Sequence, residues 1–247
     1  MRNLRIILQY DGTDYFGWQR QKSSRRTLQE TVEKVLYGIL REKVKLIGAG
    51  RTDAGVHALA QVANFKTASA MAPQKLQLAL NALLPPDIKV SAITEVAFDF
   101  HSRFHAKQKT YRYTILNRSF SDVFLRNYVF LFLRARLDVK AMQKAAKKLV
   151  GSHDFSSFKA AGYSRSKSNI RIIQKLTIRK KGSFIIIEIT GSGFLYKMVR
   201  GIVGTLIEIG RGKLPVESLQ KILKEKKRTA AGPTAPACGL TLVKVEY

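Results

Sequence analysis

Acidic side chains are scarce in this chain: 17 Asp and Glu stand against 44 Lys and Arg, a formal net charge of +27. Cysteine is nearly absent. The single Cys238 excludes an internal disulfide and any zinc site built on cysteines. Long apolar runs are missing too, since no stretch approaches the ~20 residues that a membrane-spanning helix needs. The first residues offer only Leu4 and the run Ile6 to Leu8, interrupted by Arg5, far short of the ~7–15-residue core of a secretory signal. The expectation is a cytoplasmic protein that does not enter a membrane.

Several chemistries are absent by motif. There is no G-x-x-x-x-G-K-[ST] phosphate loop, which argues against ATP-driven chemistry. Gly191-Ser192-Gly193 is not a dinucleotide fingerprint, because Tyr196 occupies the third glycine position. The H-x-E…P-C-x-x-C pattern of zinc base deaminases is absent. His101 and His105 have i,i+4 spacing, but no cysteine or acidic cluster completes a zinc site beside them. No metal and no cofactor are expected.

What is present begins with a chain of 247 residues, 45% hydrophobic, enough for one large domain or two smaller ones. The positive excess costs self-repulsion and suits a polyanionic partner, nucleic acid or an anionic membrane. The basic residues fall into four groups. Arg20, Lys22, Arg25 and Arg26 flank an early loop. Arg103, Lys107, Lys109 and Arg112 surround Phe104 and Tyr111. Lys159, Arg165, Lys167 and Arg171 follow Phe155 and Phe158, and Lys224, Lys226, Lys227 and Arg228 form a late loop. Basic and aromatic residues interleaved in this way suit phosphate contacts with stacking on unpaired bases. A solvated face would explain any one group, but not all four at this net charge.

Periodicity predicts mixed elements with short turns, an α+β or mixed α/β class. Strands are expected at Leu4–Tyr10, Lys45–Ala49, Ala58–Phe65 and Ile88–Val96. A helix follows Thr27, with Thr27 as N-cap and Glu30 at N3, and another opens at Pro73 with Leu76, Leu80 and Leu83 on one face. The second part predicts a strand at Lys109–Leu116, a helix capped by Asp138 and running through Val150, and strands Ile170–Ile178 and Phe184–Ile189 joined by a 180–183 turn. A helix over Phe194–Ile209 and a closing strand Leu240–Val245 complete it. Similar element content suggests two pseudo-duplicated halves, 1–105 and 106–247.

The segment Gly50-Arg51-Thr52-Asp53-Ala54-Gly55-Val56-His57-Ala58 lies between two apolar stretches, where a loop can present side chains. Asp followed by Ala-Gly is also ordinary turn chemistry. The guanidinium of Arg51, two residues away, favours the ionised carboxylate that a nucleophile requires. His57 could be a base or a metal ligand, although a structural or RNA-contacting histidine accounts for it more simply. Arg200 sits in a largely apolar predicted helix, either on an exposed amphipathic face or as the partner of a buried carboxylate.

Taken together these motifs resemble the tRNA pseudouridine synthase A family almost end to end. Tyr10-Asp11-Gly12-Thr13…Gly17-Trp18-Gln19 is similar to its opening loop, and Gly50 to Ala58 to its catalytic loop. Lys109-Thr110-Tyr111-Arg112-Tyr113 resembles the strand with its active-site tyrosine. Gly151-Ser152-His153-Asp154-Phe155, Gly193 to Gly204, and Gly232-Pro233-Thr234-Ala235-Pro236-Ala237…Gly239-Leu240 resemble three further segments. Glu30 and Ile172 depart from the usual Gly and Thr.

The resemblance implies a homodimer with the pseudouridine synthase fold, its two halves sharing a central antiparallel β-sheet flanked by helices. It implies cofactor-free isomerisation of uridine to pseudouridine at positions 38 to 40 of the tRNA anticodon stem-loop. Carried over, Asp53 is the nucleophile, Arg51 assists base flipping, Tyr111 stacks on the flipped uracil, Arg200 pairs with Asp53 and Leu240 packs against the base. RNA contacts are assigned to Phe100, His101, Ser102, Arg103 and Phe104, and to Gly162, Tyr163, Ser164, Arg165 and Ser166. The rival readings are a non-catalytic RNA-binding protein, which would need no Arg-x-Asp loop, and a basic membrane-surface protein, which would need a strongly basic amphipathic helix.

Overall fold

The computed structural model describes residues 1–21, 25–133, 135–160 and 168–247. The chain divides into two compact units: Met1–Lys107 with Thr241–Tyr247, and Gln108–Leu240. The closing residues Thr241–Tyr247 thus fall in the first unit.

The first unit begins with β1 (Arg2–Tyr10), followed by α1 (Leu28–Leu40), the two-residue β2 (Ile47–Gly48), β3 (His57–Thr67), α2 (Pro73–Leu83) and β4 (Ile88–Val96). β1 pairs antiparallel with β3 and β4. Leu4, Ile6 and Leu8 alternate into the core with no exposure, as a strand with one buried face requires. Of the expected Lys45–Ala49 strand only Ile47 and Gly48 join the ladder, opposite Asn64 and Ala63.

In this unit one local expectation fails, and another is met in position only, Thr27 being the N-cap of α1. Thr27 holds the extended N-cap conformation, yet its side chain makes no capping bond. Its hydroxyl is buried without a hydrogen-bond partner among the described residues, and Glu30 pairs with Lys34 at 3.3 Å instead of closing a capping box. Tertiary packing draws Thr27 inward and overrides the local cap. Leu83 is exposed because the buried stripe of α2 advances in steps of four, Leu76, Leu80 and then Leu84.

The second unit contains β5 (Gln108–Leu116), β6 (Phe130–Leu131), α3 (Val139–Ala146), β7 (Gly151–Asp154), β8 (Ile170–Lys181), β9 (Phe184–Gly191), α4 (Met198–Gly210) and α5 (Ser218–Glu225). Its sheet runs in the order β5-β9-β8-β7, with β6 parallel to β5. Asp138 caps α3 by accepting from the Ala141 N–H at 3.0 Å, a contact worth ~1 kcal/mol. The helix ends at Ala146, and a single 3₁₀ turn, Lys147–Leu149, replaces its expected last residues. The β8–β9 turn is only Gly182-Ser183, between paired Lys181 and Phe184. α4 is buried nearly all round, which explains its apolar sequence.

The last strand, β10 (Leu240–Glu246), pairs in parallel with β3 through Thr241–His57 and Leu242–Ala58. The first unit's sheet therefore runs β4-β1-β3-β10. Its strands are mixed in direction, not antiparallel throughout as expected: β10 reaches β3 after a long excursion of the chain, and no hairpin forces it to reverse. Each unit thus combines a sheet with helices, a mixed α+β architecture. No helix among the described residues is long and apolar enough to cross a membrane.

Candidate active site

The loop carrying Arg51 and Asp53 is pinned at several points within the first unit. The Trp18 N–H donates to the Thr52 carbonyl at 3.0 Å, and the Gly55 N–H donates to the Tyr15 carbonyl at 3.3 Å. The Val56 N–H closes a tight turn onto the Asp53 carbonyl at 3.2 Å. At the loop's entrance the Gln61 amide donates to the Gly50 carbonyl at 2.8 Å. The Tyr10 and Thr52 hydroxyls share a buried 2.9 Å hydrogen bond, and burial pushes the Tyr10 phenol well above its ordinary pKa.

Two glycines permit this packing. Gly17 has φ +83°, and a Cβ there would lie 2.6 Å from the Thr52 carbonyl oxygen. A Cβ on Gly12 would overlap the Val56 carbonyl. The opening segment Tyr10–Gln19 is therefore the bed of the Asp53 loop, and only residues without side chains fit at the two points of closest approach.

Arg51 is held by a chain of side-chain amides. Its Nε donates to Gln19 Oε1 at 2.9 Å. Gln19 Nε2 donates to Gln29 Oε1 at 2.6 Å, and Gln29 Nε2 donates to Glu33 Oε1 at 2.9 Å and to the Leu46 carbonyl at 3.1 Å. Sequence reasoning passed over Gln19 and Gln29. The signal was available: Gln29 sits at the buried phase of α1 with Val32 and Leu36, and a polar residue in an apolar stripe needs partners. Asp53 is half-buried on the same loop.

His57 is buried at the start of β3. The Gly12 N–H donates to its Nδ1 at 3.1 Å, with Asp11 Oδ1 also 3.1 Å from that nitrogen. The structural reading of this histidine therefore fits best. Among the described residues no group of three or more His, Cys, Asp or Glu side chains is placed to hold a metal ion.

Tyr111, Arg200 and Leu240 belong to the second unit. Tyr111 lies mid-strand in β5 opposite Ile189, buried, with its ring edge-on to Phe194 at 5.3 Å. The helix expected from Phe194 starts only at Met198. Lys197 adopts a left-handed conformation (φ +57°, ψ 12°), and the Tyr196 carbonyl accepts from the Ala160 N–H at 3.1 Å. A non-glycine residue in that region is uncommon and costs on the order of 1–3 kcal/mol, so the turn leading to Arg200 is over-determined by its surroundings.

Arg200 is half-buried in the first turn of α4, not out on a solvent face. Its Nε donates to the Ala235 carbonyl at 2.7 Å, and the Ala235 N–H donates back to the Arg200 carbonyl at 3.0 Å. Around this clasp the Gly232 N–H donates to Thr205 Oγ1 at 2.9 Å, and a Cβ on Gly204 would overlap the Pro233 carbonyl. The Tyr113 hydroxyl donates to the Pro236 carbonyl at 2.9 Å. The 232–239 loop is thus seated against α4 and β5, and Leu240, buried, follows it directly.

Similarity to known proteins assigns this arrangement to a family. The family model described as tRNA pseudouridine synthase matches residues 6–105 and 145–247. A tRNA pseudouridine synthase A of Thermoanaerobacter sp. (strain X514) is 51% identical over 247 residues, covering 100% of both chains. The chain belongs to the tRNA pseudouridine synthase family. It is accordingly an isomerase. Proteins of the same name from Acetivibrio thermocellus and Clostridium acetobutylicum are 47% and 48% identical, again over 100% of both chains. A solved Cbf5-Nop10-Gar1 complex offers only a distant likeness, with TM-score 0.38 and 11% identity over 97% of this chain and 48% of that one.

Family membership leaves the RNA contacts to be judged residue by residue. Phe104 and Arg103 are exposed, with the guanidinium 5.7 Å from the ring centroid. His101 is half-buried, and desolvation, helped by His105 and Arg103, lowers its pKa. Ser102 is a correction. It has no exposure, its hydroxyl donates to the Ile47 carbonyl and its N–H to Asn64 Oδ1, so it holds the segment in place and has no surface for RNA. Gly162, Tyr163, Ser164, Arg165 and Ser166 lie outside the described residues, as do Lys22 and Lys167. Several basic residues of the sequence clusters serve the fold, Lys226 beside Asp154 among them. Arg112 pairs with Glu188 at 2.8 Å, and Arg228 donates to the Gly232 carbonyl and to Thr234 Oγ1.

Proposed function

We propose that this enzyme isomerises uridine to pseudouridine at positions 38, 39 and 40 in the anticodon stem-loop of tRNA, with Asp53 as nucleophile, a flipped-out base and no cofactor. The chief support is the Arg51-Thr52-Asp53 loop, present in a chain 51% identical end to end to a tRNA pseudouridine synthase A and anchored to the opening segment on both sides of Asp53. Such anchoring presents one carboxylate without freedom to collapse onto the surface.

The chemistry suits one carboxylate. The C1′–N1 bond breaks, a C1′–C5 bond forms, the hydrogen on C5 leaves to solvent and N1 takes up a proton, so the product is an isomer. Attack at C1′, addition at C6 and a glycal route all require an ionised carboxylate at the nucleoside. No second carboxylate is needed to activate water, in contrast to a glycosidase. Water would intercept the cleaved sugar, so a dry pocket is required.

The base must leave its stack at a cost of a few kcal/mol. Arg51 assists that step, Tyr111 stacks on the flipped uracil, Leu240 packs against it and Arg200 pairs with Asp53. The same reading carries a homodimer in the cytoplasm. The test is release of tritium from tRNA made with C5-tritiated uridine. Release from the wild-type anticodon stem-loop, abolished when positions 38 to 40 are not uridine, is expected; no release from unmodified tRNA would overturn the reading.

A further inference from the structure

A cleft of about 330 Å³ in the first unit is lined by Lys43, Lys45, Lys66, Phe98, Asp99 and Phe100. Lys43 and Lys45 come from the segment between α1 and β2, Lys66 from β3, and the two phenylalanines from the turn after β4. The three lysines are exposed, and among the described residues no ion pair engages any of them. Asp99 opposes them with a single negative charge. Elsewhere in the protein Arg112 and Arg228 are consumed by internal partners; here three ammonium groups remain available to a ligand.

The aromatic component sits with the charge. Lys66 Nζ lies 3.5 Å from the centroid of the Phe98 ring, and Phe98 is 55% exposed. An exposed ring with an ammonium at its face offers stacking and phosphate neutralisation together. The floor beneath is rigid. Asn3 Nδ2 and Asn64 Nδ2 both donate to the Phe100 carbonyl, at 2.9 and 3.2 Å. Asn64 Nδ2 also donates to Asn3 Oδ1 at 3.1 Å. These bonds bolt the 97–102 turn onto β1 and β3, so the cleft is preformed.

We propose that this cleft binds one unpaired nucleotide of the RNA substrate through stacking on Phe98 and phosphate contacts from Lys43, Lys45 and Lys66. Its volume is at the small end of ligand sites, which run ~300–1,000 Å³. That leaves room for a single nucleotide and none for a duplex. The identity of the RNA as tRNA rests on the function proposed above.

The experiment compares wild type, the triple variant Lys43→Ala/Lys45→Ala/Lys66→Ala and Phe98→Ala. It measures the Kd for tRNA across salt, kcat and KM by tritium release, and Tm. All four side chains are exposed, so Tm should hold. The triple variant should bind tRNA about tenfold more weakly, with a salt slope shallower by about 0.7 for each phosphate no longer neutralised, and with kcat within about twofold. Phe98→Ala should raise Kd about fivefold or more with an unchanged slope, because the ring carries no charge. The triple variant should bind a fully paired RNA duplex as wild type does. Binding of tRNA within twofold of wild type and an unaltered slope would overturn the proposal, as would an equal weakening on the duplex. Wild-type protein that binds RNA but releases no tritium would instead defeat the function proposed above, while the binding comparison would still decide the cleft.

Discussion

Arg51 Nε donates to Gln19 Oε1 at 2.9 Å, and this bond ties the arginine of the Asp53 loop to the buried Gln29 of α1 through a second amide. Gln19→Ala removes the middle link while leaving both ends charged or buried as before. Misplacement of a positioned group by about 1 Å costs up to ~10²-fold in rate, so single-turnover rate should fall about tenfold to a hundredfold with tRNA affinity nearly unchanged. Gln19→Glu, which keeps an acceptor for Arg51, should recover part of that loss. Equal rates for wild type and Gln19→Ala would mean that Arg51 finds its place without this relay.

Asp53→Ala should abolish tritium release while leaving tRNA binding intact. Removing a covalent catalyst costs several orders of magnitude, and Asp53→Asn should fare no better, since an amide cannot attack. Activity within tenfold of wild type in either variant would assign the chemistry to another group.

Arg200→Ala should lose activity without losing tRNA affinity, because the proposed partner of this arginine is the nucleophile and not a phosphate. Arg200→Lys keeps the charge but cannot reproduce a planar fork, whose Nε serves the Ala235 carbonyl and whose terminal nitrogens would be left for the proposed carboxylate partner. Its rate should fall by at least tenfold. A pure binding defect with a smaller salt slope would make Arg200 a phosphate ligand.

Gly17→Ala tests the bed of the loop. Its φ of +83° is strained for any side chain, and a Cβ 2.6 Å from the Thr52 carbonyl must push Thr52 and Asp53 away. A destabilisation on the order of 1–3 kcal/mol follows, read as a lower Tm. The rate should fall further than the loss of folded protein explains, and an unchanged rate per folded molecule would contradict that.

Asp154 supplies a pH signature of stability. Its carboxylate accepts from the Ser156 hydroxyl at 2.6 Å and the Ser156 N–H at 2.9 Å, and Lys226 lies 3.4 Å away. The Ser156 hydroxyl, chief among these, holds its pKa below the ordinary aspartate value. A depressed carboxylate stabilises the fold above its unfolded pKa and loses that contribution as pH falls through the folded value. Asp154→Asn should therefore lower Tm at neutral pH, and the difference should close as the carboxylate protonates, below the ordinary aspartate pKa of ~3.9. A gap independent of pH would point to altered shape rather than lost charge.

Much of the fold was legible locally. β4 lies where alternation places it, Asp138 caps α3, and Pro73 opens α2. Elsewhere local signals yielded to packing. Thr27 turned inward, Leu83 rotated out and Lys197 broke the expected helix before Arg200. β7, only four residues long, was too short to announce itself. Motif reading gathered Arg51 and Asp53 on one loop but could not foresee the amide relay from Gln19 to Gln29, which joins a loop to a helix through side chains alone.

By itself the sequence determined the charge, the motifs and hence the family, because net charge and side-chain chemistry are sums over residues and need no geometry. Only the tertiary structure decided which basic side chains are spent on internal partners, such as Arg112 on Glu188 and Arg228 on the 231–234 loop, and which stay available, such as Lys43, Lys45 and Lys66. It alone decided that Gly12 and Gly17 are the points of closest approach for the Asp53 loop, and that Ser102 is buried. These outcomes depend on burial and on approach distances between residues far apart in the chain, and a hydrogen bond or a steric overlap exists only once both partners have been brought together.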